Sequence, residues 1–127
     1  ITLQAWSPFQ MPSWKGCFLG SDEYLELNQK IRVLAEKYGV SDTTIAAAWI
    51  LRHPANMQLV TGTASEKRLK EIIAACNITL TREEWYELYL AAGHPLPEVF
   101  LSARMRSKAK IRFSDPGLIY NIGKAFL

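Results

Sequence analysis

The sequence predicts an α/β chain of two parallel strands and about four helices, shaped as a wedge of a larger α/β barrel or doubly wound sheet. Three observations lead there. The elements follow in the order β, α, α, β, α, α, and strands separated by helices pair in parallel through crossovers. One helix, with Ile-Ala-Ala-Ala-Trp-Ile-Leu at its centre, is apolar on nearly every side and needs neighbours all round. Two strands alone can neither protect their edges nor cover such a helix.

Each element has its own signal. Ile1–Trp6 alternates Ile1, Leu3 and Ala5 with Thr2 and Gln4, as a strand does, and Ser7-Pro8 ends it. Phe9–Gly20 holds a proline and two glycines and reads as a loop. Its aromatics, Phe9, Trp14 and Phe18, are unusual for a solvated linker and are expected to pack. Asp22–Tyr38 is a helix with Leu27, Ile31, Leu34 and Tyr38 on one face, Ser21 or Asp22 at its start and Gly39 at its end. Ser41 or Asp42 caps the apolar helix Thr43–Arg52, which Pro54 stops. Met57–Thr61 is a second strand, continuous enough in apolar character for cover on both faces. The next helix spans Glu66–Cys76 with Leu69, Ile72, Ile73 and Cys76 along one side. The last opens on a capping box at Thr81 and Glu84, carries Trp85, Leu88, Tyr89 and Ala92, and closes at Gly93.

The 127 residues suffice for one modest domain, and 49% apolar with 21% charged residues is ordinary for a soluble protein. The longest apolar run, Ile45–Leu51, is too short to span a bilayer, so no membrane partner is expected. The net charge of +3 is unevenly placed. Residues 1–97 carry nine Lys/Arg and ten Asp/Glu, net −1, whereas 98–127 carry six and two, net +4. The chain therefore divides into a body, 1–97, and a basic tail, 98–127, with no clean period. A strand within Lys-Ala-Lys-Ile-Arg-Phe is conceivable there. Without a basic stripe on the body, nucleic acid is not the expected partner. Cys17 and Cys76 lack metal-ligand spacing, which points to reduced thiols and a cytoplasmic setting, with Cys76 as a small buried hydrophobe. The sequence opens on Ile1 rather than Met, the mark of a processed chain or a piece of a longer one.

The chemistry concentrates in Leu59–Ile73, where a strand runs into Thr-Gly-Thr-Ala before a helix beginning at Ser65. Gly62 admits close approach to the backbone, and Thr63, Ala64 and Ser65 leave the amides uncovered. The helix start offers unpaired N–H groups and a positive dipole end, and Arg68 lies one turn in. The segment is shaped to hold a phosphate. The alternative is an ordinary β-to-α turn with a normal cap and a solvated Arg68. Trp6, at the end of the first strand, either stacks on a planar ligand or fills core. His53 is expected as a helix C-terminal cap and His94 at the surface, while Glu83 and Glu84 serve a helix start. No catalytic Ser/His/Asp or Cys/His set is present in the pattern.

From Ile1 to about Pro97, through "GVSDTTIAAAWILRHPANMQLVTGTASEKRLKEII" and "LTREEWYELYLAAGHPLP", the chain resembles the C-terminal part of an aldo-keto reductase, closest to the bacterial-type branch. The resemblance implies the C-terminal portion of a (β/α)8 barrel, with Ile1–Trp6 and Met57–Thr61 as its seventh and eighth strands. Loops after these strands commonly hold phosphate in such barrels. It further implies NADP(H) across the barrel top. Trp6 would stack on the nicotinamide, and Ser7 and Phe9 would follow along the cofactor. Gly62, Thr63, Ala64 and Ser65 would line the adenosine ribose and its 2′-phosphate. Arg68 would pair with that phosphate and the adenine face, and Glu71 would lie near the adenine amino group. Many relatives have lysine where this chain has Gly62 and asparagine where it has Ile72, which leaves NAD(H) open as well. The family's catalytic Asp, Tyr, Lys and His come from the first half of the barrel and are not in this sequence; neither His53 nor His94 matches. The resemblance thus implies a fragment of a carbonyl reductase that keeps the cofactor wall, is inactive and poorly stable alone, and calls for a complementary N-terminal half. Residues 98–127 match nothing in the family pattern. A read-through, a frame change or a retained non-coding segment would account for them. Their charge supports a rival reading, a non-enzymatic helical interaction module whose basic tail meets an acidic partner.

Overall fold

The computed structural model describes residues 1–94, apart from the side chain of Trp14. The basic tail, its conceivable strand and the Leu-Pro end of the family-like segment lie outside the described residues. Within them the order is β1 (Gln4–Trp6), α1 (Leu25–Tyr38), α2 (Asp42–Leu51), β2 (Gln58–Val60), α3 (Glu66–Ala74) and α4 (Arg82–Ala91). Short 3-10 turns cover Pro12–Trp14, Asp22–Tyr24 and Ala75–Asn77. The class is α/β, with two parallel strands and four α-helices among the described residues.

The helix ends follow from local chemistry. The Ser21 hydroxyl accepts the Glu23 N–H and starts the turn that leads into α1. At the other end Gly39 adopts φ +66°, its N–H reaches the Glu36 carbonyl, and the Val40 N–H reaches that of Ala35. These two bonds are the Schellman pattern, which needs a left-handed residue after the helix. Ser41 caps α2 by accepting the Thr44 N–H at 3.2 Å. Both halves of the capping box form at α4: Thr81 Oγ1 accepts the Glu84 N–H, and Glu84 Oε2 accepts the Thr81 N–H at 2.8 Å.

The core is a helical layer. From Thr44 to Ile50 every residue of α2 is buried, because α1, α3, α4 and β2 enclose it. Trp49 and Trp85 stack at 4.5 Å with planes 6° apart. Each indole N–H donates to the other residue's backbone carbonyl at 3.0 Å. The Trp49 carbonyl lies in the last turn of α2, where helical partners run out, so the Trp85 indole supplies the donor that the helix cannot. The Thr44 hydroxyl likewise donates to the Glu71 carbonyl of α3 at 2.8 Å. Between α1 and α4, Glu84 accepts from Lys37 Nζ and, at 2.7 Å, from the Tyr38 hydroxyl. Burial would raise this carboxyl; the hydrogen bonds from Lys37, the Thr81 N–H and Tyr38, with the Lys37 charge, overcome it and hold the group at about 2.

Several expectations need correction. The strand segments are shorter than Ile1–Trp6 and Met57–Thr61, since pairing supports three residues of each. Nor is β2 covered on both faces: no residue of either strand is fully buried, because the helices cover one side only. Ala5 and Leu59, paired in register, face that side and pack on the core. Three of the four residues expected along one side of α3 turn outward, and Ile72 alone of them packs on the core. Leu69 and Ile73 are 40% and 58% exposed and Cys76 is exposed. The helix seats itself through half-buried Ile72, joined by buried Ala75 on an i, i+3 line.

Candidate functional site

Parallel pairing sets the geometry of the site. β1 and β2 pair as Gln4 with Gln58, Ala5 with Leu59 and Trp6 with Val60. Their carboxyl ends therefore finish side by side, and the segments that follow them, Ser7–Phe9 and Thr61–Ser65, leave from the same edge. Residues more than fifty positions apart in sequence are neighbours here.

The residues after β1 are held in an uncommon shape. Ser7 has φ +48°, a left-handed conformation that a non-glycine side chain adopts at a cost of about 1 kcal/mol. Its carbonyl accepts the Gln10 N–H at 3.0 Å, closing a turn with Pro8 and Phe9 inside. Pro8 is buried, and half-buried Phe9 meets the Phe18 ring at 6.4 Å. The loop is anchored further by Asn28, a residue that the helical stripe of α1 concealed. Its Nδ2 donates to the carbonyls of Phe18, Ser21 and Tyr24, and its Oδ1 accepts the Gly20 N–H. The polar type of Asn28 beside Leu27 and Ile31 is the one signal in the sequence that marks it.

Trp6 is 60% exposed, so it does not fill core. It alternates with Ala5 and so lies on the face turned away from the helices. Across the edge, Gly62 is exposed with open space where a Cβ would stand, and its φ is not left-handed. The fold itself therefore makes no demand for glycine there. Thr63 is half-buried, and its hydroxyl accepts the Ser65 N–H at 3.1 Å, taking one amide of the turn. Ala64 and Ser65 are exposed. Ser65 occupies the cap position of α3 but its side chain makes no capping bond, which leaves the first-turn amides to other acceptors. Arg68 is exposed one turn in, and Glu71 is half-buried.

The two histidines lie away from this edge. His53 is 1% exposed and does not cap α2: its Nδ1 accepts the Ala55 N–H at 3.1 Å, in the turn beyond the helix. His94 is half-buried against the Tyr89 ring at 5.1 Å rather than at the open surface, and burial lowers its proton affinity. Among the described residues no group of His, Cys, Asp and Glu could hold a metal ion, and no helix is long and apolar enough to cross a membrane.

Comparison with known proteins bears on the same residues. The model of the aldo/keto reductase family matches residues 4–90. A 6-dehydroglucose reductase from Agrobacterium fabrum (strain C58 / ATCC 33970) is 34% identical over 92 residues, covering 72% of this chain and 29% of that protein. A 6-dehydroglucose reductase from Novosphingobium aromaticivorans is 29% identical over 98 residues, covering 76% of this chain and 32% of that protein. The chain spans about a third of the length of these curated relatives. With strands, helices and the family match agreeing over the same residues, the chain belongs to the aldo/keto reductase family.

Proposed function

We propose that this chain supplies the NADP(H)-holding wall of a carbonyl-reducing (β/α)8 barrel, of which it is the C-terminal portion. The observation that carries the reading is the register of β1 with β2, which sets Trp6–Phe9 and Gly62–Arg68 along one edge. The residues fit the cofactor. Trp6 offers an exposed ring for the nicotinamide, and Ser7 and Phe9 continue the wall beneath the dinucleotide. The open space over Gly62 admits a ribose, and the α3 amides with Arg68 attract its 2′-phosphate. Thr63 and Ala64 line that turn, and Glu71 lies deeper along α3 beside the adenine. Loss of the 2′-phosphate removes the contacts of Arg68 and the α3 amides with that group and leaves the rest of the wall, so NAD(H) binds as well, more weakly. Bound there, the cofactor supplies hydride to a small-molecule carbonyl. The protein's own share in this chain is to orient the cofactor; the acid that protonates the oxygen belongs to the remainder of the barrel.

That remainder also accounts for the exposed apolar surface. Leu69 and Ile73 on α3 are exposed, and the outer edges of β1 and β2 have no partner strand among the described residues. A complementary N-terminal half covers them. The reductase names of the two relatives are in keeping with this class of reaction. The setting is cytoplasmic, where NADP(H) is at hand, with neither membrane nor nucleic acid as partner.

Titration of NADPH fluorescence against the full chain tests the reading. Arg68→Ala weakens NADPH binding about tenfold, as expected for one charge-assisted contact, and weakens NADH binding less, since NADH loses only the contact with the adenine face. Equal loss for both nucleotides, or none, overturns the assignment of Arg68. A steady-state carbonyl reductase assay on the chain alone should show no turnover; robust activity overturns the half-barrel reading.

A further inference from the structure

We propose that His53 is a proton-sensitive latch on the turn that delivers β2 to the ligand edge. The turn begins where α2 ends. The Asn56 N–H donates to the His53 carbonyl at 3.1 Å, with Pro54 and Ala55 between, and Asn56 leaves the turn at φ +51°. Proline suits the second position of such a turn, since its φ is already set. Two residues later β2 starts, with the Gln58 N–H on the Leu3 carbonyl at 2.9 Å.

The imidazole braces this turn from inside. Its Nδ1 accepts the Ala55 N–H, so that nitrogen bears no proton and the neutral ring carries its hydrogen on Nε2. Nε2 is buried and has no hydrogen-bond partner among the described residues. From α4 the ring meets Trp85 at 6.2 Å, which does not titrate. The charged neighbour in sequence, Arg52, directs its Nε to the Leu80 carbonyl at 3.2 Å. Burial is what lowers the proton affinity of His53 below its ordinary 6.5.

A second proton has one place to go, Nδ1. There it sets N–H against the Ala55 N–H, removes the acceptor that braces the turn and leaves a buried charge with no counter-ion among the described residues. The unfolded turn takes this proton first, so stability of the closed form is lost as pH falls below 6.5 and until the buried ring itself titrates. Opening the turn loosens Met57–Val60. That this reaches the phosphate turn at Gly62–Ser65 rests on the proposed function; the latch itself does not.

Hydrogen exchange of the full chain, without nucleotide, reads the latch directly, so its outcome is separate from that of the cofactor titration. Protection factors of amides 55–60 should fall about tenfold between about pH 7.5 and 5.5 in the parent chain. His53→Asn places Oδ1 where Nδ1 stands, accepts the Ala55 N–H and does not titrate; its protection should stay level over that range. His53→Ala, with no acceptor, should be poorly protected throughout. Nitrogen NMR of the parent ring adds a check that needs no variant: Nδ1 should be unprotonated at neutral pH and gain its proton in step with loss of the Ala55 amide signal. Level protection in the parent chain overturns the proposal. So does an Asn variant that opens as the parent does, or a His53 that gains its proton with the turn intact.

Discussion

Replacing Glu84 by glutamine tests how the α1–α4 contact is held. The carboxyl accepts from Lys37 Nζ, the Tyr38 hydroxyl and the Thr81 N–H, and its side chain is only 9% exposed. In the unfolded chain it protonates near 4.5; in the fold it stays ionised down to about 2. Between those values the unfolded state binds a proton that the folded state refuses, so stability falls as the pH drops. The difference corresponds to about 3 kcal/mol, fully present at neutral pH, and about 2 kcal/mol of it is gone by about pH 3. Glu84→Gln keeps one acceptor oxygen but turns an amide N–H₂ toward the Lys37 ammonium, donor against donor. At neutral pH the variant should lose about 2–3 kcal/mol. Urea unfolding of the full chain, followed by far-UV circular dichroism at several pH values from 7 to 3, measures both quantities. The gap between parent and variant should be widest at pH 7 and shrink steadily below about 4.5. A gap that stays constant across the range would refute the reasoning, since it would mean that Glu84 contributes by shape and not by charge.

Other substitutions probe other parts of the molecule. Trp85→Phe removes the donor on the Trp49 carbonyl and should cost about 2–4 kcal/mol in the same unfolding assay, with a coupling of about 1 kcal/mol to Trp49→Phe in a double-mutant cycle. Asn28→Ala should cost about 2–3 kcal/mol and speed hydrogen exchange of residues 18–24; Asn28→Asp should do no better, because a carboxylate would face three carbonyls. Ser7→Gly should leave stability within about 0.5 kcal/mol, relief at positive φ offsetting glycine's greater freedom when unfolded, whereas β-branched Ser7→Val should cost about 2 kcal/mol. For the glycine variant, weaker NADPH binding at unchanged stability would separate a ligand role from a structural one.

What the sequence made legible is what short-range chemistry decides. Ser41, Thr81, Gly39 and Gly93 mark helix ends because their effects reach only a few residues. The all-round apolar character of α2 likewise announced that it would be enclosed. On α3 the apolar pattern spans two adjacent lines, Leu69–Ile73 and Ile72–Ala75, and only a neighbour decides which is inside, so the pattern places Ile72 correctly and Leu69 and Ile73 not. The Trp49–Trp85 exchange of hydrogen bonds and the His53 brace could not be read in advance, since each depends on where a ring lands in three dimensions. Asn28 was hidden by its apolar neighbours. At the candidate site, residue types suggested a phosphate turn and an aromatic platform, but their meeting on one edge depends on a parallel pairing across the chain.

The absence of any fully buried residue on β1 and β2 bears on how this scaffold can change. The hydrophobic mass and its interlocking rings sit in the helices, so the strands and the turns beyond them carry little of the packing. Substitutions of the exposed rim residues Gly62, Ala64, Ser65 and Arg68 meet few core neighbours, and surface changes of this kind cost little stability. Such a division lets the exposed residues of the rim vary while the helical layer keeps its shape.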